Sequence, residues 1–122
     1  MSRGAHESRE AHDARDAGVE AAGFGELVLA LVADIPPGRA LSYGDVAAFL
    51  GSRGARAVGT VMARSGGGAE PVPWWRVVRA DGRPPAGHAE AALPHYEAEG
   101  TPLVPGGPEG YRIDLRAARW RP

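Results

Sequence analysis

A chain of 122 residues with a formal net charge of −1 is sized for one domain around one core. The absence of cysteine excludes disulfides, zinc–thiolate sites and thiol catalysis. No apolar run reaches the ~18 residues of a membrane span, and the start is not basic-then-apolar. Neither a span nor a signal peptide is expected, and a cytoplasmic or nucleoid location follows.

Residues 1–22 mix Arg3, Arg9 and Arg15 with Glu7, Glu10, Asp13, Asp16 and Glu20, and carry almost no large apolar side chain. Such a stretch cannot bury enough surface to order itself, so a disordered tail is expected ahead of a folded domain over 23–122. His6 and His12 in that tail read as solvated, and neither a metal nor a cofactor is expected.

The folded part opens with a helix. Phe24, Leu27, Val28, Leu31, Val32 and Ile35 recur at the spacing of one apolar helical face, and Pro36-Pro37-Gly38 stops it. Ser42 with Asp45 three residues on predicts a capping-box start for a two-turn helix ending at Gly51. A second helix is expected from about Ala55 to Ala63, with Val58, Val61 and Met62 inward. Two short helices around a tight glycine-containing turn make a helix-turn-helix. Ser65-Gly66-Gly67-Gly68-Ala69 is a loop. Trp75 to Arg79 is expected to be extended and to close at the turn Ala80-Asp81-Gly82.

A further helix is predicted over Ala89–Glu99, capped by Gly100, with Pro94 either kinking it or lying in its first turn. Thr101–Val104 and Tyr111–Leu115 read as a hairpin around Pro105-Gly106-Gly107-Pro108. The fold class is mainly α with small β elements.

Charge is unevenly spread. Between Arg39 and Arg83, seven arginines (Arg39, Arg53, Arg56, Arg64, Arg76, Arg79, Arg83) face only Asp45, Glu70 and Asp81, a local +4. A basic middle in a near-neutral chain is the footprint of a nucleic-acid face. Arg53, Arg56 and Arg64 lie on or beside the second helix of the pair. Pro73-Trp74-Trp75-Arg76 follows the glycine-rich loop as a rigid corner. On extended backbone its adjacent indoles would point to opposite sides, one packed inward and one facing a cavity. An exposed indole face suits a nucleobase, with stacking worth about 1–3 kcal/mol per base.

Three ordered motifs carry a resemblance: Leu41-Ser42-Tyr43-Gly44-Asp45-Val46-Ala47, Arg56-Ala57-Val58-Gly59, and Pro73-Trp74-Trp75-Arg76-Val77-Val78. Together they resemble the C-terminal domain of the O6-alkylguanine-DNA alkyltransferases, over Phe24 to Pro122. The closer likeness is to the alkyltransferase-like proteins, in which Trp stands in place of the nucleophilic Cys of a Pro-Cys-His-Arg-Val site. The resemblance implies a winged-helix-like, helix-turn-helix DNA-binding domain of the alkyltransferase C-terminal type, acting without catalysis as a sensor of O6-alkylguanine.

By that resemblance, Arg56 is the finger that fills the stack when the damaged nucleotide leaves it. Tyr43 presses the 3′ phosphate, and the second helix enters the minor groove, where small Gly59 and Ala63 permit close approach. Arg53 and Arg64 would contact the duplex. Pro73, Trp74, Trp75, Arg76 and Arg83 would form the alkylguanine pocket. Trp74 occupies the nucleophile's place and Trp75 that of the activating histidine, so alkyl transfer is not expected. Glu99 matches the relay glutamate with no histidine to orient, leaving it a structural role.

The implied partners are double-stranded DNA with O6-alkylguanine and nucleotide excision repair proteins, with no membrane contact and a monomeric state. Two departures stand out: Trp75 in place of His, and a short stretch between Trp74 and Gly100. That stretch is where a second arginine usually reaches the base; Arg83 or Arg79 would substitute, with His88 the third choice. Two rivals remain at this stage. One is a helix-turn-helix transcriptional regulator reading the major groove, disfavoured by the absence of Asn and Gln. The other is an enzyme acting through Glu99 or Asp81, neither of which has a visible partner base.

Overall fold

The computed structural model describes residues 23–51, 54–65 and 72–122. The expectations for the tail at 1–22, for Arg53 and for most of the glycine-rich loop lie outside the described residues. Helix α1 includes residues 23–34. Phe24, Val28 and Val32, with Ile35 just beyond, are buried at about four-residue spacing. Leu31 packs against their cluster, but Leu27, expected on that face, is 55% exposed. A helix turns about 100° per residue, so a stripe through 28 leaves position 27 well to its side.

Pro36 and Pro37 end this helix in a turn that Gly38 closes at φ +85, with the Arg39 N–H bonded to the Pro36 carbonyl at 3.1 Å. Strand β1 (Leu41–Ser42) leads directly into α2 (Tyr43–Phe49). The Asp45 N–H donates to Ser42 Oγ at 3.0 Å, and the Ser42 N–H donates to Asp45 Oδ2 at 2.9 Å. Asp therefore closes the capping box despite being shorter than Glu. After Gly51, α3 (Ala55–Ser65) completes the helix pair, with Val58 and Met62 buried and Val61 partly so.

The corner at Pro73 differs from the expected extended run. Pro73 sits at φ −74, ψ 69, and the Trp74 N–H bonds the Val72 carbonyl at 2.7 Å, an inverse γ-turn. A single turn of 3-10 helix then spans Trp74–Arg76, and only Val77–Val78 (β2) are extended. Proline's fixed φ favours the tight start, and a 3-10 turn sends successive side chains about 120° apart rather than to opposite faces. β2 pairs in parallel with β1, Leu41 opposite Val77 and Ser42 opposite Val78.

Helix α4 (Ala89–Glu99) runs through Pro94, which is exposed, and ends at Gly100 in the left-handed region. Antiparallel strands β3 (Leu103–Pro105) and β4 (Tyr111–Ile113) form the expected hairpin. Leu115 does not extend the strand: Asp114 accepts from the N–H groups of Arg116 and Ala117 and starts α5 (Leu115–Ala118). In the turn before α4, Gly82 lies at φ +89, and a Cβ there would overlap the Ile113 carbonyl oxygen. Its own carbonyl accepts from the Ile113 N–H at 2.8 Å, locking turn to strand.

Two apolar clusters result. One joins α1, α2, α3 and Val77; the other joins Val78, Ala92, Tyr96, Tyr111, Ile113 and Ala118. Adjacent Val77 and Val78 face different clusters because strand side chains alternate. Trp74 packs against both. Residues 118–120 close the fold on β1: Ala40 N–H bonds the Ala118 carbonyl and Trp120 N–H bonds the Ala40 carbonyl, each at 3.0 Å. Arg119 Nε reaches Asp45 Oδ2 at 3.0 Å. Among the described residues, no helix is long and apolar enough to cross a membrane.

Candidate nucleic-acid interface

The two tryptophans of the corner have different surroundings. Trp75 is held by α4. Its indole N–H donates to Glu99 Oε2 at 2.9 Å, its ring stacks on His95 with centroids 3.6 Å apart and planes 8° from parallel, and its carbonyl accepts from the Tyr96 hydroxyl at 2.5 Å. Arg76 forks onto the same carboxylate, Nε to Oε1 at 3.0 Å and Nη2 to Oε2 at 2.6 Å, and its Nη1 reaches the Ile35 carbonyl at 2.7 Å. The Gly38 N–H adds a fourth donor to Glu99 at 3.1 Å. Burial alone would push the Glu99 carboxyl up, but these hydrogen bonds and the Arg76 charge hold it below the ordinary carboxylate value. Glu99 thus has no histidine to orient and orients the corner instead.

Trp74 points the other way, edge-on to Trp75 at 86° with centroids 5.6 Å apart. It lines an open cavity of about 580 Å³ with Tyr43, Gly59, Met62, Ala63, Pro85, Ala86 and His88. That size lies within the ~300–1,000 Å³ of small-ligand pockets. The walls come from three places: Tyr43 from the start of α2, one face of α3, and the segment between β2 and α4. Tyr43 is half-buried; its burial raises the phenol above its ordinary value, with Arg79 opposing, so it stays protonated at neutral pH.

Of the pocket residues expected from sequence, Trp74 lines this cavity, whereas Pro73, Trp75, Arg76 and Arg83 do not. Pro73 shapes the backbone, and Trp75 with Arg76 is committed to Glu99. Arg83 folds back on Asp81, Nε to Oδ2 at 2.8 Å. It faces a separate small hollow with Gly106, Gly107, Pro108 and Arg112. Arg79 is equally occupied, by the Pro84 carbonyl at 2.9 Å and by Glu109. The third choice, His88, is the one that reaches the cavity. Met62, Pro85 and Ala86 had no sequence signal beyond the helical period and a rigid Pro84-Pro85 pair.

Tyr43 and Gly59, expected to meet DNA, lie on the cavity rim with Trp74. Arg56 and Arg64 are exposed on α3, and among the described residues no ion pair reaches either. Of the other arginines in the basic middle, Arg76, Arg79 and Arg83 are neutralised by Glu99, Glu109 and Asp81. Arg39 donates to the Ala117 carbonyl at 2.8 Å. Among the described residues of that stretch, Arg56 and Arg64 therefore keep their charge uncompensated on α3, beside the cavity, and Arg39 keeps its own on the turn after α1.

The profile of the family described as 6-O-methylguanine DNA methyltransferase, DNA binding domain, matches residues 23–100. The chain belongs to this family. A search of curated protein sequences returns no match. Among solved structures, S. pombe Atl1 in complex with damaged DNA containing O6-carboxymethylguanine is 27% identical, with a TM-score of 0.72 over 82% of this chain and 96% of that one. S. pombe ATL in complex with DNA is 28% identical, with a TM-score of 0.70 and the same coverage of both chains. The methyltransferase DNA-binding family thus accounts for the helix pair, the corner and α4, and the fold is alkyltransferase-like throughout.

Proposed function

We propose that this protein binds double-stranded DNA at O6-alkylguanine, draws the damaged nucleotide out of the stack into the cavity beside Trp74, and holds it without removing the alkyl group. The observation that carries this is the position of the cavity, between an arginine-bearing face of α3 and an aromatic plate. Enzymes and sensors that inspect a base must extrude it, at a cost of a few kcal/mol that is smaller for a lesion with weakened pairing. The α3 helix would enter the minor groove, where Gly59 and Ala63 leave room for the backbone. Arg56 would replace the departed base in the stack, and Arg64 would bind phosphate. Tyr43, a phenol at neutral pH, can donate to a backbone phosphate oxygen.

Alkyl transfer needs a nucleophile, and the cavity offers none suited to it. There is no thiol in the chain, Trp74 presents an indole, Tyr43 is protonated, and the His88 imidazole is a much weaker alkyl acceptor than a thiolate. A binder that leaves the alkyl group in place completes no repair alone, so the reading includes hand-over by a monomer to nucleotide excision repair.

The test is affinity for two duplexes identical but for guanine or O6-methylguanine at one position. Tighter binding of the alkylated duplex is expected, with a methyl label staying on the DNA. Equal affinity for both would remove lesion recognition, and label on the protein would restore catalysis.

A further inference from the structure

Among the described residues, three of the cavity's lining side chains carry an N–H or O–H group: Tyr43, Trp74 and His88. Tyr43 and Trp74 are fixed in kind near neutral pH, one a phenol and the other a donor only. His88 is the one with two hydrogen-bonding forms, a neutral imidazole with one donor and one acceptor and a charged ring with two donors and no acceptor.

Its placement leaves the ring available. His88 occupies the N-cap of α4, a position at which Ser, Thr, Asn or Asp usually bond the helix's first N–H groups, yet its side chain makes no such bond. Its backbone is anchored instead, N–H to the Pro85 carbonyl and carbonyl to the Ala92 N–H, each at 2.9 Å. The imidazole therefore stands exposed at the cavity mouth with its centroid 5.4 Å from that of Trp74, tilted by 58°. A base lying against Trp74 would bring an edge to it.

Alkylation at O6 removes the proton from guanine N1, turning that atom from donor to acceptor. A doubly donating His88 suits the alkylated edge and meets the N1–H of unmodified guanine donor to donor. A neutral His88 accommodates both by presenting either nitrogen. We infer that His88 reads the Watson–Crick edge of the extruded base, and that its protonation sharpens the distinction between O6-alkylguanine and guanine. This rests on the base-extruding function proposed above.

The titratable and charged groups around it are few. Tyr43 faces it from α2, within the field of Arg79. On its own helix stand Glu90 in the first turn and His95, which meets Trp74 with centroids 5.9 Å apart. The lining residues taken from α3, namely Gly59, Met62 and Ala63, carry no charge.

The experiment measures the full chain's affinity for the guanine and O6-methylguanine duplexes at about pH 6 and about pH 8, at constant ionic strength. Protonation of any other histidine strengthens phosphate binding to both duplexes alike, so the ratio of the two affinities is the readout. That ratio should be about fivefold to tenfold larger at the lower pH, the difference between a charge-assisted and a neutral hydrogen bond. It should become independent of pH in His88→Asn and in His88→Gln, and keep its pH dependence in His95→Asn. Asn is a favoured N-cap residue, so the first variant retains the start of α4, which circular dichroism checks. A wild-type ratio above one but equal at both pH values overturns the role of His88 alone, as does a pH dependence that survives both His88 variants. A ratio of one throughout removes lesion recognition itself, and with it the proposed function.

Discussion

Trp74 and Trp75 are neighbours in sequence, yet they stand on two unlike sides of one corner. On the Trp75 side the indole N–H, the carbonyl, the Arg76 fork and both Glu99 carboxylate oxygens meet partners. On the Trp74 side the plate borders open space, and the cavity's other walls are mostly apolar. The closed side gives rigidity and the open side offers room. The difference teaches how a site can be ready for a bulky guest without collapsing: the plate is braced from behind by a network that the guest never touches.

Breaking the closed side should have the largest effect. Glu99→Gln leaves the largely buried Arg76 charge without its carboxylate and weakens the hold on Trp75, so a loss of about 3 kcal/mol is expected in urea unfolding. A change below about 0.5 kcal/mol, the scale of an ordinary surface substitution, would show that the network does not brace the corner. Trp74→Ala attacks the open side. It should reduce affinity for the O6-methylguanine duplex by about 1–3 kcal/mol, the value of one stacked base, with little change for the guanine duplex. If both duplexes weakened equally, Trp74 would be serving the fold rather than the guest.

Arg56→Ala should erase the preference for the lesion while leaving the unfolding midpoint unchanged, because the proposed function assigns this residue to the duplex and it belongs to neither half of the corner. Acid sharpens the same contrast. Glu99 and Asp45 are both held below their ordinary values, Glu99 by Arg76, Gly38 and Trp75 against the effect of burial, Asp45 by Ser42 and Arg119 against the same effect. A depressed folded value means stability present above the unfolded value and lost as pH falls through the folded one. The melting temperature should therefore hold near neutrality and drop below pH 4.5, the ordinary value for Glu, with a shallower drop in Glu99→Gln. The smallest expected effect is that of Arg64→Ala, which should weaken both duplexes alike and reduce the salt slope by about 1.

The elements legible in the sequence were those written by neighbours. Ser42 and Asp45 announce a cap because both partners lie within one turn, and Gly100 ends α4 because it alone adopts the left-handed conformation freely there. The spacing of Phe24, Val28 and Val32 fixes α1, although the same pattern wrongly includes Leu27. The corner was misread as extended because tryptophan and valine favour strands, whereas Pro73 forces a γ-turn and a 3-10 turn ahead of them.

What escaped was long in range. Counting arginines between residues 39 and 83 overstates the basic face, since Arg76 and Arg79 find Glu99 and Glu109 beyond that window. Arg83 was a local miss, because Asp81 two residues earlier was always a competitor for it. The partner of Glu99 could not be read from a pattern that looks for histidine. His88 ranked behind two arginines until the structure showed both arginines engaged elsewhere.

The stitching of residues 118–120 onto Ala40 and Asp45 has an engineering consequence. Asp45 caps the helix that presents Tyr43, and it does so while gripped by Arg119. Trimming the protein back past residue 117 would thus unbuckle α2 from a distance, though nothing removed would lie on the cavity wall. An affinity tag fused close behind this clasp would load it directly.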